Sequence, residues 1–167
     1  HIKEIKKMEN LLDKETIKRV QEFIAQFDPK LKVLLVDTTA RTAKDAAESL
    51  GCEVGAIVKS LVFRADDTFL ICLVAGDKRC SLNKLKKIIR KKDVCMANAD
   101  EVKENTGFSI GGVAPVAHIK KLEILVDKSL NRFSDVFGAA GHPNCVFKIG
   151  YEQLIKVTNG LEKDISE

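Results

Sequence analysis

In the stretch GAIVKSLVF, Gly55 to Phe63, a single lysine interrupts an otherwise apolar run. Alternate residues of a strand share a face, so Ile57, Lys59, Leu61 and Phe63 point one way, and Val58, Ser60, Val62 and Arg64 the other. A lysine among large apolar neighbours has two readings. It guards an edge strand and snorkels to water, or it lines a pocket where desolvation and a bound carbonyl or phosphate give the amine a task. A second stretch, GFSIGGVAP from Gly107 to Pro115, pairs Gly111 and Gly112 ahead of a stiffening proline. Such a loop brings bare N–H groups against an ester carbonyl or a phosphate, as an oxyanion site requires, or it is a plain turn.

The same stretch satisfies G-x-S-x-G around Ser109, with Asp127 or Asp135 and then His142 following in the order Ser, Asp, His. A nucleophile elbow needs a strand before its serine and a helix after it. Here a helical segment precedes, and Gly-Gly-Val-Ala-Pro cannot start a helix promptly, so the serine-hydrolase reading is disfavoured. Five cysteines, Cys52, Cys72, Cys80, Cys95 and Cys145, are odd in number and widely spaced, without a CxxC pair. That argues for a reducing compartment and against a disulfide framework or zinc site. Cys72, inside FLICLVAG, reads as a small buried hydrophobe. His118 and His142 are too isolated for a metal cluster, and no metal is expected.

The elements that must position these groups follow from periodicity and punctuation. Ile17, Val20, Ile24 and Phe27 fall at helical spacing and Asp28-Pro29 ends that helix. KVLLVD (32–37) reads as a short strand. Thr42 caps a helix with Asp45 three residues on and Gly51 as its stop. AIVKSLVFR and TFLICLVAG read as a hairpin across Ala65-Asp66-Asp67. Ser81 caps LNKLKKIIRKK, with Leu82, Leu85 and Ile89 facing inward and the basic residues outward. Asp100 caps a short helix ending at Gly107, strands follow near 122–127 and 144–149, and the last helix runs from Tyr151 to Val157. Strands and helices interleave without a regular βαβ rhythm. The expected fold class is therefore α+β, a mixed sheet or barrel wrapped by helices.

A chain of 167 residues with 45% apolar and 31% charged content is globular, with an aliphatic core, since it has no Trp. It reads as one domain over residues 1–167, with a helical addition at about 8–28. No apolar run reaches membrane-spanning length and no signal-peptide pattern opens the chain. His1 is not an initiator, and Met8 is a candidate native start. Of the 28 basic residues, eight lie between Lys78 and Lys92, a stretch without an acid, so the remaining 20 are outnumbered by the 24 acidic ones. One segment therefore owns the positive field, which is the arrangement that orients a polyanion.

TAKDAAESLGCEVGAIVKSLVF, LVAGDKRCSLNKLKKII, ADEVKENTGFSIGGVAP and FGAAGHPNCVFKI occur in the order seen in the YbaK-like family, the free-standing relatives of the prolyl-tRNA synthetase editing domain. The resemblance covers about residues 33–160. It implies a mixed β-barrel-like sheet flanked by helices, and hydrolysis of the ester of mischarged tRNA without metal or cofactor. The substrate it implies is tRNA for proline carrying Ala, Cys or another small amino acid. Lys59 matches the family's essential lysine. Gly111, Gly112, Val113, Ala114 and Pro115 resemble its glycine–proline loop, which positions the aminoacyl carbonyl and terminal adenosine. His142 and Asn144 fall where relatives vary and the amino-acid pocket is walled. On this reading Lys59 holds the terminal phosphate or ribose and polarises the ester, while Lys84, Lys87, Arg90 and Lys91 receive acceptor-stem phosphates. The resemblance implies tRNA as partner, with prolyl-tRNA synthetase a second one, a cytoplasmic location, and neither DNA nor membrane. The alternative is a catalytically silent tRNA- or synthetase-binding module on the same fold, against which the retention of Lys59 and of Gly112–Pro115 argues.

Overall fold

The computed structural model describes residues 2–3, 11–37 and 42–167. Met8 and the first residues of the expected addition at 8–28 lie outside the described residues. In chain order the elements are α1 (Glu15–Phe27), β1 (Val33–Leu35), α2 (Ala43–Leu50), β2 (Val58–Ala65), β3 (Thr68–Ala75), α3 (Leu82–Ile89) and β4 (Val94–Met96). They continue with α4 (Ala99–Thr106), β5 (Glu123–Asp127), β6 (Asp135–His142), β7 (Cys145–Gly150), α5 (Tyr151–Thr158) and β8 (Leu161–Lys163).

The strands form two sheets, ordered β4-β2-β3-β5-β8 and β1-β7-β6. In the larger one β5 runs parallel to both β3 and β8, and the other pairs are antiparallel. The β2–β3 hairpin turns on Asp66 and Asp67, with Ala65 opposite Thr68, and every residue of β2 has a partner on β3. An isolated bridge between Ile57 and Phe137 links the two sheets. The sheets are not closed into a barrel. The α+β class holds, and the barrel-like closure expected from the sequence is replaced by two sheets that, among the described residues, meet at this bridge.

Local chemistry explains most of the boundaries. Thr42 and Asp45 form a reciprocal capping box on α2, and Gly51 closes it in the left-handed conformation. Ser81 accepts from Lys84 N–H at the start of α3, but Arg90 already adopts left-handed backbone at φ 57°, so the helix stops at Ile89 and not at Lys92. Leu82 is 41% exposed, whereas Leu85 is fully buried. The cap of α4 is Asn98, whose side chain and that of Glu101 exchange bonds with each other's backbone; Asp100 already lies inside the first turn. Strands β4 and β8 have three residues each, and β6 reads DVFGAAGH, too rich in Gly and Ala to signal a strand. Their partners impose them.

The core is aliphatic. Ile17, Val20 and Ile24 of α1 join Val58, Val62, Ile71 and Leu73 of the hairpin and Phe147 and Ile149 of β7. On the opposite face of the hairpin Phe63, Cys72 and Val74 pack with Leu85 of α3. Phe27, by contrast, stays 38% exposed at the end of α1.

Candidate active site

A cavity of about 620 Å³ opens along the edge of β2. At one end Ala97 N–H holds Val62 O at 3.0 Å, and at the other Ile57 bridges to Phe137. Between these points β2 is paired only with β3. The gap between β4 and β6 is thus a stretch of strand edge without a neighbouring strand. Its walls are mostly apolar, with Val102, Val113, Phe137, Ala139 and Val146 among them. A volume of this size suits a small organic ligand.

Lys59 lines the cavity and is half-buried. Its Nζ donates to the carbonyl of Lys78, in the connection between β3 and α3. Burial pushes its ammonium below the ordinary lysine value, while the Asp77 carboxylate opposes that shift and Arg79 adds to it. Asp77 is itself fixed by Arg132, whose Nη2 and Nη1 reach its two oxygens at 2.7 and 2.9 Å. That fork holds the Asp77 carboxyl below its usual range. The lysine therefore sits in a site where two of its protons remain available and its charge is only partly solvated.

The glycine loop borders the same cavity. Gly111, exposed, and Val113, buried, line the cavity; Gly112, Ala114 and Pro115 are buried behind that surface. Gly112 has a steric reason to be glycine: a Cβ there would come within 3.0 Å of the His142 backbone. Pro115 packs on Gly138 of β6, where an added Cβ would meet its Cγ at 3.0 Å. Asn144 lines the cavity and donates from Nδ2 to Asp37 O at 3.1 Å. His142 is placed beside the loop but not on the cavity wall, and its Nδ1 accepts from Asn144 N–H at 3.1 Å. Burial, seconded by Lys14, favours the neutral imidazole.

Helix α1 braces this corner, a role the sequence alone did not assign. Thr16 Oγ1 donates to Gly141 O at 3.0 Å, and Gly141 has φ 91° with no room for a side chain against Thr16. Arg19 bonds Ala117 O at 2.9 Å and Thr106 O at 3.2 Å, and its guanidinium lies 4.4 Å from the centre of the Phe108 ring. These bonds hold the glycine loop from both sides. Ser60, next to Lys59, also lines the cavity, and its polarity on the face shared by Val58 and Val62 was visible in the sequence.

Ser109 is exposed in the turn after α4. Its supposed partners are engaged elsewhere: Asp127 with Ser129 and the Ile165 N–H, Asp135 with Lys148 at 3.8 Å, His142 with Asn144. These residues assemble no triad. In the basic segment Lys84 bonds Asp164 at 3.1 Å and Ser166 O at 2.6 Å, and Lys91 pairs with Asp66 at 3.6 Å. Lys87 and Arg90 have no ion pair among the described residues.

A mixed two-sheet α+β fold, with a lysine and a glycine loop flanking an apolar cleft, has the architecture of an editing domain, and the sequence comparison agrees. The chain belongs to the aminoacyl-tRNA editing domain family, whose model matches residues 37–157. It is 32% identical over 140 residues to YwhH of Bacillus subtilis (strain 168), an alignment covering 83% of this chain and 88% of that one. It is 28% identical over 126 residues to a protein of Enterococcus faecalis (strain ATCC 700802 / V583) named "Putative Cys-tRNA(Pro)/Cys-tRNA(Cys) deacylase EbsC", covering 75% and 77%. Proline–tRNA ligases match as well, and the chain spans between 15% and 24% of their length. Among solved structures, the "Crystal structure of a putative trans-editing enzyme for prolyl tRNA synthetase" superposes with a TM-score of 0.88 at 35% identity, covering 92% of this chain and 98% of that one.

Proposed function

We propose that the protein hydrolyses the ester of mischarged tRNA, acting in trans on tRNA for proline that carries a small wrong amino acid such as Ala or Cys. The observation that carries this reading is the half-buried Lys59 amine on the wall of a cavity of about 620 Å³ that Gly111 and Val113 also line. An ammonium in a partly desolvated site stabilises charge developing on an ester carbonyl or holds the neighbouring phosphate. Backbone amides of the glycine loop other than that of Gly112, which is bonded to Ser109 O at 3.0 Å, supply further donors, and a water, or a substrate hydroxyl assisting it, attacks the carbonyl carbon. No side chain is assigned as a covalent nucleophile.

Ala139 and Val146 leave a small, apolar compartment for the amino-acid side chain. Asn144 borders it, and His142 supports Asn144 through its backbone. Lys87 and Arg90 are the cations best placed to meet acceptor-stem phosphates, since Lys84 and Lys91 already have protein partners. The name of the EbsC relative supports a Cys-tRNA(Pro) substrate, and the neighbouring trans-editing structure supports a prolyl-tRNA synthetase as the source of the error. A cytoplasmic setting goes with that reading. Deacylation of tRNA for proline charged in turn with Ala, Cys, Ser and Pro tests it. At least one small non-cognate ester should be cleaved faster than the prolyl ester; equal stability of all four with and without protein overturns the reading.

A further inference from the structure

Among the described residues, Ser60 Oγ is the one buried side-chain oxygen or nitrogen that has no hydrogen-bond partner. Most buried polar groups are paired, and one left alone in a folded protein calls for an explanation. This one sits in the wall of the cavity, on the residue that follows Lys59. The strand around it adds a second unused group. Gly76 N–H bonds Ile57 O at 2.7 Å on the β3 side, while Val62 O and Asp66 N–H bond Ala97 and Asp93 on the outer side. Odd residues of β2 thus turn their backbone groups to β3 and even residues turn theirs outward, as antiparallel alternation requires. Ser60 is even, and its N–H and C=O face the unpaired edge where the cavity lies.

We infer that Ser60 is the residue that reads the free α-amino group of the substrate, accepting from it with Oγ and with its outward carbonyl. This rests on the proposed aminoacyl-ester substrate. Of the other polar side chains on the cavity wall, the Lys59 ammonium is a donor, Thr42 Oγ1 already accepts from Asp45 N–H at 3.1 Å, and Asn144, whose Nδ2 is bonded to Asp37 O, offers a single acceptor in Oδ1. An α-ammonium, mostly protonated near pH 7, cannot bond to donors and needs acceptors in an apolar surround. Ser60 supplies two from one residue. A site built to hydrogen-bond a substrate group discriminates strongly against an analogue that lacks it. The site therefore selects esters of free amino acids over esters of hydroxy acids and over N-blocked residues.

Two hydrolysis-resistant probes test this: adenosine carrying alanine, or lactic acid in its place, through an amide at the 3′ position. Calorimetry near pH 7 measures both against wild type and Ser60→Ala, with thermal melting as the control. The expected result is that wild type binds the alanyl probe at least about tenfold tighter than the lactyl one, and that Ser60→Ala loses about tenfold on the alanyl probe and little on the lactyl. The variant should melt no lower than wild type, because it removes an unsatisfied hydroxyl; a hydroxyl with only a structural role would change melting and leave the preference between probes alone. An unchanged preference in Ser60→Ala, an equal loss on both probes, or no binding of either by wild type overturns the inference. If wild type binds with the expected preference yet leaves mischarged tRNA intact, the deacylase reading fails and the role of Ser60 stands. If it cleaves mischarged tRNA while Ser60→Ala keeps the preference, the reverse holds.

Discussion

Lys59 carries its charge where part of its hydration shell is missing, and that has consequences for both pH dependence and stability. Its folded pKa is lowered, chiefly by burial. If the ammonium is the working form, kcat/KM should fall on the alkaline side at a pH below the free-lysine value of about 10.4, a profile that a pH series on a mischarged tRNA reads directly. The stability sign runs opposite. The unfolded chain holds this proton more tightly, so stability from this group rises with pH across the interval beneath that value. Lys59→Met should therefore be inactive yet melt no lower than wild type near neutral pH. His142→Ala, by contrast, should keep the order of preference among Ala, Cys and Ser esters, because the imidazole lies behind the cavity wall; a reordered series would put it in the pocket. A charge among Ile57, Leu61 and Phe63 leaves Lys59 open between an edge-strand lysine and a pocket lysine, and it is the resemblance to the editing family that points to the pocket; the structure puts the residue on the cavity wall. The placing of His142 was not legible, since a register shift between Ala139 and His142 and the left-handed Gly141 redirect the chain at that point.

At the scale of elements, α1 is a buttress for the site. Arg19 ties the carbonyls of Thr106 and Ala117, one on each side of the glycine loop. Charge-assisted bonds of this kind are worth about 2 kcal/mol together. Arg19→Ala should lower stability by about that amount in urea unfolding and should also reduce kcat/KM, whereas an equally destabilising change at a distance should not. The second device is Asp127, which is buried and accepts from Ser129 N–H at 3.2 Å and from Ile165 N–H at 2.9 Å, anchoring the C-terminal segment. Burial pushes its pKa up, but the bonds from Ser129, Ile165 and Ser166 outweigh it and the net shift is downward. The stability it contributes is present above the ordinary carboxylate value of about 3.9 and is lost as pH falls through its lower folded value. Asp127→Asn should therefore destabilise the protein near pH 7, with the difference from wild type shrinking in acid. The hairpin β2–β3, the caps of α2 and α3 and the glycine stops were readable from sequence because each is local. Strands β4, β6 and β8 were not, because long-range partners create them from short or Gly-rich segments.

At the scale of the molecule, two sheets bridged at Ile57–Phe137 leave an open cleft along the unpaired edge of β2, and Lys59 lines it. The basic segment from Lys78 to Lys92 gives the surface its positive field, though only part of it is free to bind. Replacing Lys87 and Arg90 with Glu should weaken tRNA binding and reduce the slope of log affinity against log salt by about one for each phosphate that is no longer neutralised. Lys84 and Lys91 are poorer tests, because reversing them breaks ion pairs within the protein. The central claim is that Lys59, in this cleft, drives ester hydrolysis on mischarged tRNA. The most direct test is single-turnover deacylation of tRNA for proline charged with Ala or Cys, by wild type, Lys59→Ala and Ser109→Ala, each verified by its melting curve. Wild type and Ser109→Ala should cleave at similar rates, and Lys59→Ala, equally well folded, should be slower by about a hundredfold or more, the size expected for loss of a group that stabilises transition-state charge. Full activity in Lys59→Ala, or its loss in Ser109→Ala, would contradict the account.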